Sequence, residues 1–68
     1  MSDKVLAILA ALPELARGQL VELRIASERL RDAGLLGQRA SSTKFFAPHS
    51  AAFELLPVDQ PNKVRWRG

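Results

Sequence analysis

The stretch Phe53-Glu-Leu-Leu-Pro-Val-Asp-Gln-Pro-Asn-Lys-Val-Arg-Trp-Arg-Gly68 reads as two strands joined by a loop, with a basic face on the second. In Lys63-Val-Arg-Trp-Arg67, cationic and apolar side chains alternate strictly. Successive side chains of a strand point to opposite faces, so Val64 and Trp66 share one face and Lys63, Arg65 and Arg67 the other. Helical patterns precede this hairpin. Helices followed by a basic hairpin give the plan of a winged helix and make nucleic acid the first partner to consider.

Sixty-eight residues suffice for one small domain, taken as residues 1–68. A core of this size leaves about 3–5 kcal/mol of net stability and no room for an extensive catalytic apparatus. Apolar residues make up 47%, too many for a disordered chain. Cysteine is absent, so neither disulfides nor thiolate metal sites contribute, which fits a cytoplasmic protein. The apolar run Val5 to Leu12 is too short to span a bilayer and has no basic leader, since Asp3 offsets Lys4. It reads as a core helix, with no membrane partner expected.

The net charge of +3 is unevenly placed. Residues 1–38 set Lys4, Arg17, Arg24, Arg29 and Arg31 against Asp3, Glu14, Glu22, Glu28 and Asp32, and are neutral. Residues 39–68 set Arg39, Lys44, Lys63, Arg65 and Arg67 against Glu54 and Asp59, and carry the whole excess. That asymmetry points to a polyanion.

Upstream of the hairpin, Val5, Leu6, Ile8, Leu9 and Leu12 form an apolar stripe at helical spacing, predicting a helix from Asp3 to about Leu12 capped by Ser2 or Asp3. Pro13 kinks it or starts a second turn, and Arg17-Gly18 stops it. Gln19-Leu20-Val21 is a candidate short strand. Leu23, Ala26, Leu30 and Ala33 predict a second helix from Glu22 to Ala33, with Arg24 and Glu28 placed to pair on its surface and Gly34 as its C-cap. Ser41 or Ser42 caps a third helix over Thr43–Ala47, which ends or bends at Pro48. The expected architecture is therefore α+β: a winged helix-turn-helix of three helices followed by a two-stranded antiparallel wing.

The residues Ile25-Ala-Ser-Glu-Arg-Leu-Arg-Asp-Ala-Gly-Leu-Leu36, Ser41-Ser-Thr-Lys-Phe-Phe-Ala-Pro-His-Ser-Ala-Ala-Phe-Glu-Leu55 and Asn62-Lys-Val-Arg65 resemble a LOTUS domain, also called OST-HTH. The shared features are a leucine-bearing helix, a glycine turn, a Lys-Phe-Phe helix, a Phe-Glu-Leu strand and a Val-Arg strand, over roughly residues 20–67. The resemblance implies a small winged helix associated with RNA, including G-rich and quadruplex RNA. Bacterial members are often joined to NYN-type ribonuclease domains; none is readable here. Some animal members bind a DEAD-box helicase and some dimerise, which implies a protein partner or a homodimer as the alternative.

Three groups of residues are candidate nucleic-acid contacts. Lys63, Arg65 and Arg67 offer charged donors to phosphates; the bland alternative is a solvated edge strand whose cations prevent unwanted pairing. Ser41, Ser42 and Thr43, flanked by Arg39 and Lys44, place hydroxyls and free N–H groups at a helix start, although serines there are commonly only caps. His49 is a third phosphate contact, set against a plain surface or loop-packing role. No second His or Cys accompanies it, so no metal site is expected. Phe45 or Phe46, Phe53 and Trp66 are expected inside; an exposed aromatic among them would favour single-stranded ligands. Gly34-Leu-Leu-Gly37 lacks the lysine and spacing of a phosphate loop, and no catalytic constellation or cofactor motif is present. The expected function is non-catalytic nucleic-acid binding, RNA rather than DNA by the resemblance, with duplex DNA or a protein partner as alternatives. Leu35, Leu36, Leu56 and Val58 are the apolar residues a protein partner would use.

Overall fold

A computed structural model describes residues 2–68. Helix α1 (Asp3–Ala11) begins where the Ser2 hydroxyl oxygen accepts from the Val5 N–H at 3.2 Å. Val5, Ile8 and Leu12 turn inward, whereas Leu6 stays half exposed, so the buried stripe is narrower than the sequence pattern. Pro13 starts a separate short helix, α2 (Pro13–Ala16), at the position where a missing N–H costs least. The Gln19 N–H returns to the Glu14 carbonyl and the Gly18 N–H to the Leu15 carbonyl. This double bond pair requires a left-handed residue, and Gly18 supplies it with φ 81°.

The chain then forms β1 (Val21–Glu22) and enters α3 (Leu23–Asp32) directly. Leu23, Ala26 and Leu30 face the core, and the buried Ser27 hydroxyl donates to the Leu23 carbonyl at 2.7 Å. Ala33 lies outside the helix as its cap and is exposed. Gly34, with φ 76°, repeats the Gly18 arrangement: Leu35 N–H bonds to the Leu30 carbonyl and Gly34 N–H to that of Arg31. The return folds Leu36 into the core.

Helix α4 (Ser42–Phe46) follows, capped by Ser41, and continues into a 3-10 turn at Ala47–His49. Pro48 thus bends the chain without ending the coil at once. Strands β2 (Phe53–Leu56) and β3 (Lys63–Trp66) complete a three-stranded antiparallel sheet in the order β1-β3-β2. Val64 pairs with both Val21 and Leu55, and Phe53 pairs with Trp66. Phe53, Val64 and Val21 are buried on the inner face, with α2 and α3 packed against β3. Trp66 is only half buried. Phe46 stands edge-on to Phe53 with ring centroids 5.4 Å apart, locking α4 to the sheet.

The domain is α+β, but two expectations are corrected. Four short α-helices are present among the described residues where three were expected, because Pro13 splits the first pattern. The expected two-stranded wing is part of a three-stranded sheet, because Val21 and Glu22 extend it on the far side of β3. The basic strand is accordingly central, and its cations do not guard an edge.

Candidate nucleic-acid interface

The outer face of the sheet does not carry a free cationic stripe. The β2–β3 register sets Glu54 beside Arg65, and the guanidinium donates to the carboxylate at 2.7 Å. On the other side Glu22 stands opposite Lys63, while reaching Arg24 at 3.6 Å. That last pair is largely solvent-exposed and stabilises by no more than about 1 kcal/mol. Arg67 donates through Nε to the Ser50 carbonyl at 2.9 Å, holding the chain beyond β3 to the loop before β2. Of the alternating cations, only Lys63 has a side chain with neither a hydrogen bond nor an ion pair among the described residues. The Arg24–Glu28 pair expected on α3 does not form; Arg24 meets Glu22 instead.

The start of α4 carries the expected serine cap. The Ser41 hydroxyl oxygen accepts from the Lys44 N–H at 3.4 Å, so this serine is a cap. Five residues form α4, too short for a substantial helix dipole. What this helix does is separate two clefts. Ser41, Lys44 and Phe45 line one, about 450 Å³ in volume, together with Leu35, Leu36 and Arg39. Ser42 and Thr43 line the other, about 380 Å³, together with Glu22, Arg24 and Lys63. Helical spacing explains the division: positions 41, 44 and 45 share one side, and 42 and 43 turn to the other.

The larger cleft is lined by two cations and by no carboxylate. Neither the Arg39 nor the Lys44 side chain is engaged by a hydrogen bond or an ion pair among the described residues. Their approach is fixed from α3, where Arg31 donates through Nε to the Gly37 carbonyl at 3.2 Å and through Nη2 to the Ala40 carbonyl at 3.1 Å. Arg31 thereby braces the turn that presents Arg39.

The aromatic pair Phe45-Phe46 splits. Phe46 is 1% exposed, whereas Phe45 is half buried and borders the larger cleft. The Lys4 ammonium lies over the Phe45 ring, 5.7 Å from its centroid. His49 packs against the same ring at 6.2 Å, in a tilted arrangement that fits loop packing. Lys4 and Arg31 are not among the candidate contacts read from sequence, and Phe45 enters there only as one of four aromatics of which an exposed one would favour single-stranded ligands. Phe45 had a signal: adjacent helical residues project about 100° apart, so two consecutive phenylalanines cannot both point inward.

The apolar residues proposed for a protein partner do not gather in the open. Leu36 is buried, Leu35 and Leu56 are half buried, and Val58 alone of the four is exposed. Elsewhere, Arg29 on α3 donates to the Glu14 carboxylate on α2, and this bond, ahead of a backbone hydrogen bond, holds the Glu14 carboxyl below its ordinary pKa. No group of three metal-ligating side chains gathers among the described residues, and no helix there is long and apolar enough to cross a membrane.

No protein-family model matches the chain, and no curated protein or solved structure matches it either.

Proposed function

We propose that this domain is a non-catalytic winged helix-turn-helix module that binds nucleic acid, RNA in preference to DNA. The helix-turn-helix is α3, the braced turn and α4; the wing is the β2–β3 hairpin, with β1 added to its inner strand. The observation that carries the reading is the cation-lined cleft beside α4, where Arg39 and Lys44 are unpaired and no carboxylate enters. On the other side of α4, Lys63 lines the second cleft with Arg24 and the Ser42 and Thr43 hydroxyls, where Glu22 offsets part of the positive charge. Phosphates are the ligand such a surface favours, because charged donors replace condensed counterions. Arg65 and Arg67, nominated from sequence, are assigned to holding the sheet and its loop, and His49 to packing against Phe45. The preference for RNA rests on the LOTUS resemblance of residues 25–65.

The test is fluorescence anisotropy with labelled single-stranded RNA, G-rich quadruplex RNA, duplex RNA and duplex DNA. Binding that weakens as salt rises, and is tighter for an RNA probe than for DNA, supports the proposal. Failure to bind any probe at protein concentrations up to about 100 µM, the weak limit of non-specific association, overturns it.

A further inference from the structure

The larger cleft differs from an ordinary phosphate site in its lining. Phosphate recognition needs donors alone. Here the donors share the lining with Leu35, Leu36, Ala40 and the half-buried Phe45, which add apolar surface. A volume of about 450 Å³ falls within the range of small-molecule sites. A ligand complementary to it carries a flat apolar part and an anionic part a few ångströms apart. A nucleotide has both, but only when its base is unpaired: in a duplex the base faces are stacked and the phosphates alone reach a protein surface of this shape.

We infer that this cleft takes one unpaired nucleotide of a single strand, with the base against Phe45 and the flanking phosphates on Arg39 and Lys44. The inference rests on the nucleic-acid reading above and narrows it to single-stranded ligands. Phe45 is suited to the role by its support. Phe46 meets it edge-on at 5.2 Å and His49 borders it, so the ring is held in place while remaining part of the cleft lining. Lys4 lies over the ring at 5.7 Å on an exposed, flexible stem. It can leave the ring for a phosphate when a base enters. Base–aromatic stacking tolerates any base, so the site selects strandedness and not sequence.

The experiment uses the whole chain and three probes of equal length: a single-stranded RNA carrying 2-aminopurine, the same strand annealed to its complement, and an abasic sugar-phosphate strand. The expected result is tightest binding to the intact single strand, with 2-aminopurine fluorescence quenched on binding. The abasic strand is expected to bind roughly 5-fold to 100-fold more weakly, the worth of one stacked base. Phe45→Leu keeps the apolar packing and removes the aromatic face; it is expected to lose the same factor on the intact strand and nothing on the abasic one. Phe45→Tyr is expected to restore binding. Equal affinity for intact and abasic strands, or tighter binding of the duplex, overturns the inference while leaving nucleic-acid binding standing. No binding of any probe overturns both. The abasic comparison needs no protein variant, so the result does not depend on how Phe45→Leu folds.

Discussion

The cations around β3 and α4 differ in how far their side chains are already engaged within the domain, and salt dependence reads that difference. Arg39, Lys44 and Lys63 are unpaired, whereas Arg65 is neutralised by Glu54 and Arg67 is tied to the Ser50 carbonyl. A cation that neutralises one phosphate of a single strand contributes about 0.7 to the slope of log K against log salt. Replacing Arg39, Lys44 and Lys63 together with Ala therefore flattens the slope by about 2. Over a fourfold rise in salt, that is about 20-fold less loss of affinity than the unsubstituted chain shows. The Arg65→Ala/Arg67→Ala pair changes the slope by no more than about 0.7, since Glu54 already compensates Arg65 and only the Arg67 charge is lost. Glu54→Gln works in the opposite direction: it uncovers the Arg65 guanidinium and steepens the slope. All of these positions except Glu54 are exposed, and circular dichroism checks that each variant keeps its fold. Anisotropy titrations of a single-stranded RNA at several salt concentrations give the slopes. A double substitution at Arg65 and Arg67 that flattens the slope as much as the triple one would refute the assignment of the free charge to α4.

Three further outcomes concern the scaffold. Phe46→Ala removes a ring that is 1% exposed and packed on both Phe45 and Phe53, a loss of about 3–5 kcal/mol that matches the whole stability expected of a domain this size; thermal melting should show no cooperative transition. Gly34→Ala meets no atom within 4 Å, so its cost is the left-handed backbone alone, about 1–2 kcal/mol, seen as a lowered denaturation midpoint with an unchanged spectrum. The depressed Glu14 carboxyl contributes stability that is present above its unfolded value of 4.5 and is lost as pH falls through its lower folded value. Glu14→Gln should therefore melt earlier than the unsubstituted chain at neutral pH, and the gap should close under acid conditions. A gap that stays constant across that range would show that the Arg29 contact does not set the Glu14 titration.

Local chemistry was legible in the sequence; pairing across the fold was not. Gly18 and Gly34 announce helix ends because only a left-handed residue closes the double return, and that requirement is written in single residues. Ser41 as a cap and the bend at Pro48 follow from the same kind of local rule. The alternation of Lys63 to Arg67 correctly divided the faces of β3. It could not reveal that Glu54 stands beside Arg65, because the partner is fixed by the β2–β3 register and not by neighbouring residues. Nor could it place β3 at the centre, which depends on two residues of β1 closing from the far side. The candidate site moved for this reason. A cation's availability depends on what it meets in space: Glu54 compensates Arg65 and the Ser50 carbonyl holds Arg67, whereas the Arg39, Lys44 and Lys63 side chains have no hydrogen bond or ion pair among the described residues. The sequence left open which of Phe45 and Phe46 turns inward; Phe46 fills the space beneath α4 and leaves Phe45 half buried.

The central position of β3 also bears on how the domain assembles. β1 and β2 do not pair with each other; each is hydrogen-bonded only to β3. The helices form from contacts close in sequence, but no part of the sheet between β1 and its partner exists until a segment from the opposite end of the chain arrives. Closing that long loop brings its entropy cost before any ladder bond is gained. The docking of residues 63–66 is thus the step that converts a loose set of helices and one local hairpin into a cooperative unit. A substitution in β3 should slow folding as well as weaken the product, and a lesion in α1 should act mainly by hastening unfolding.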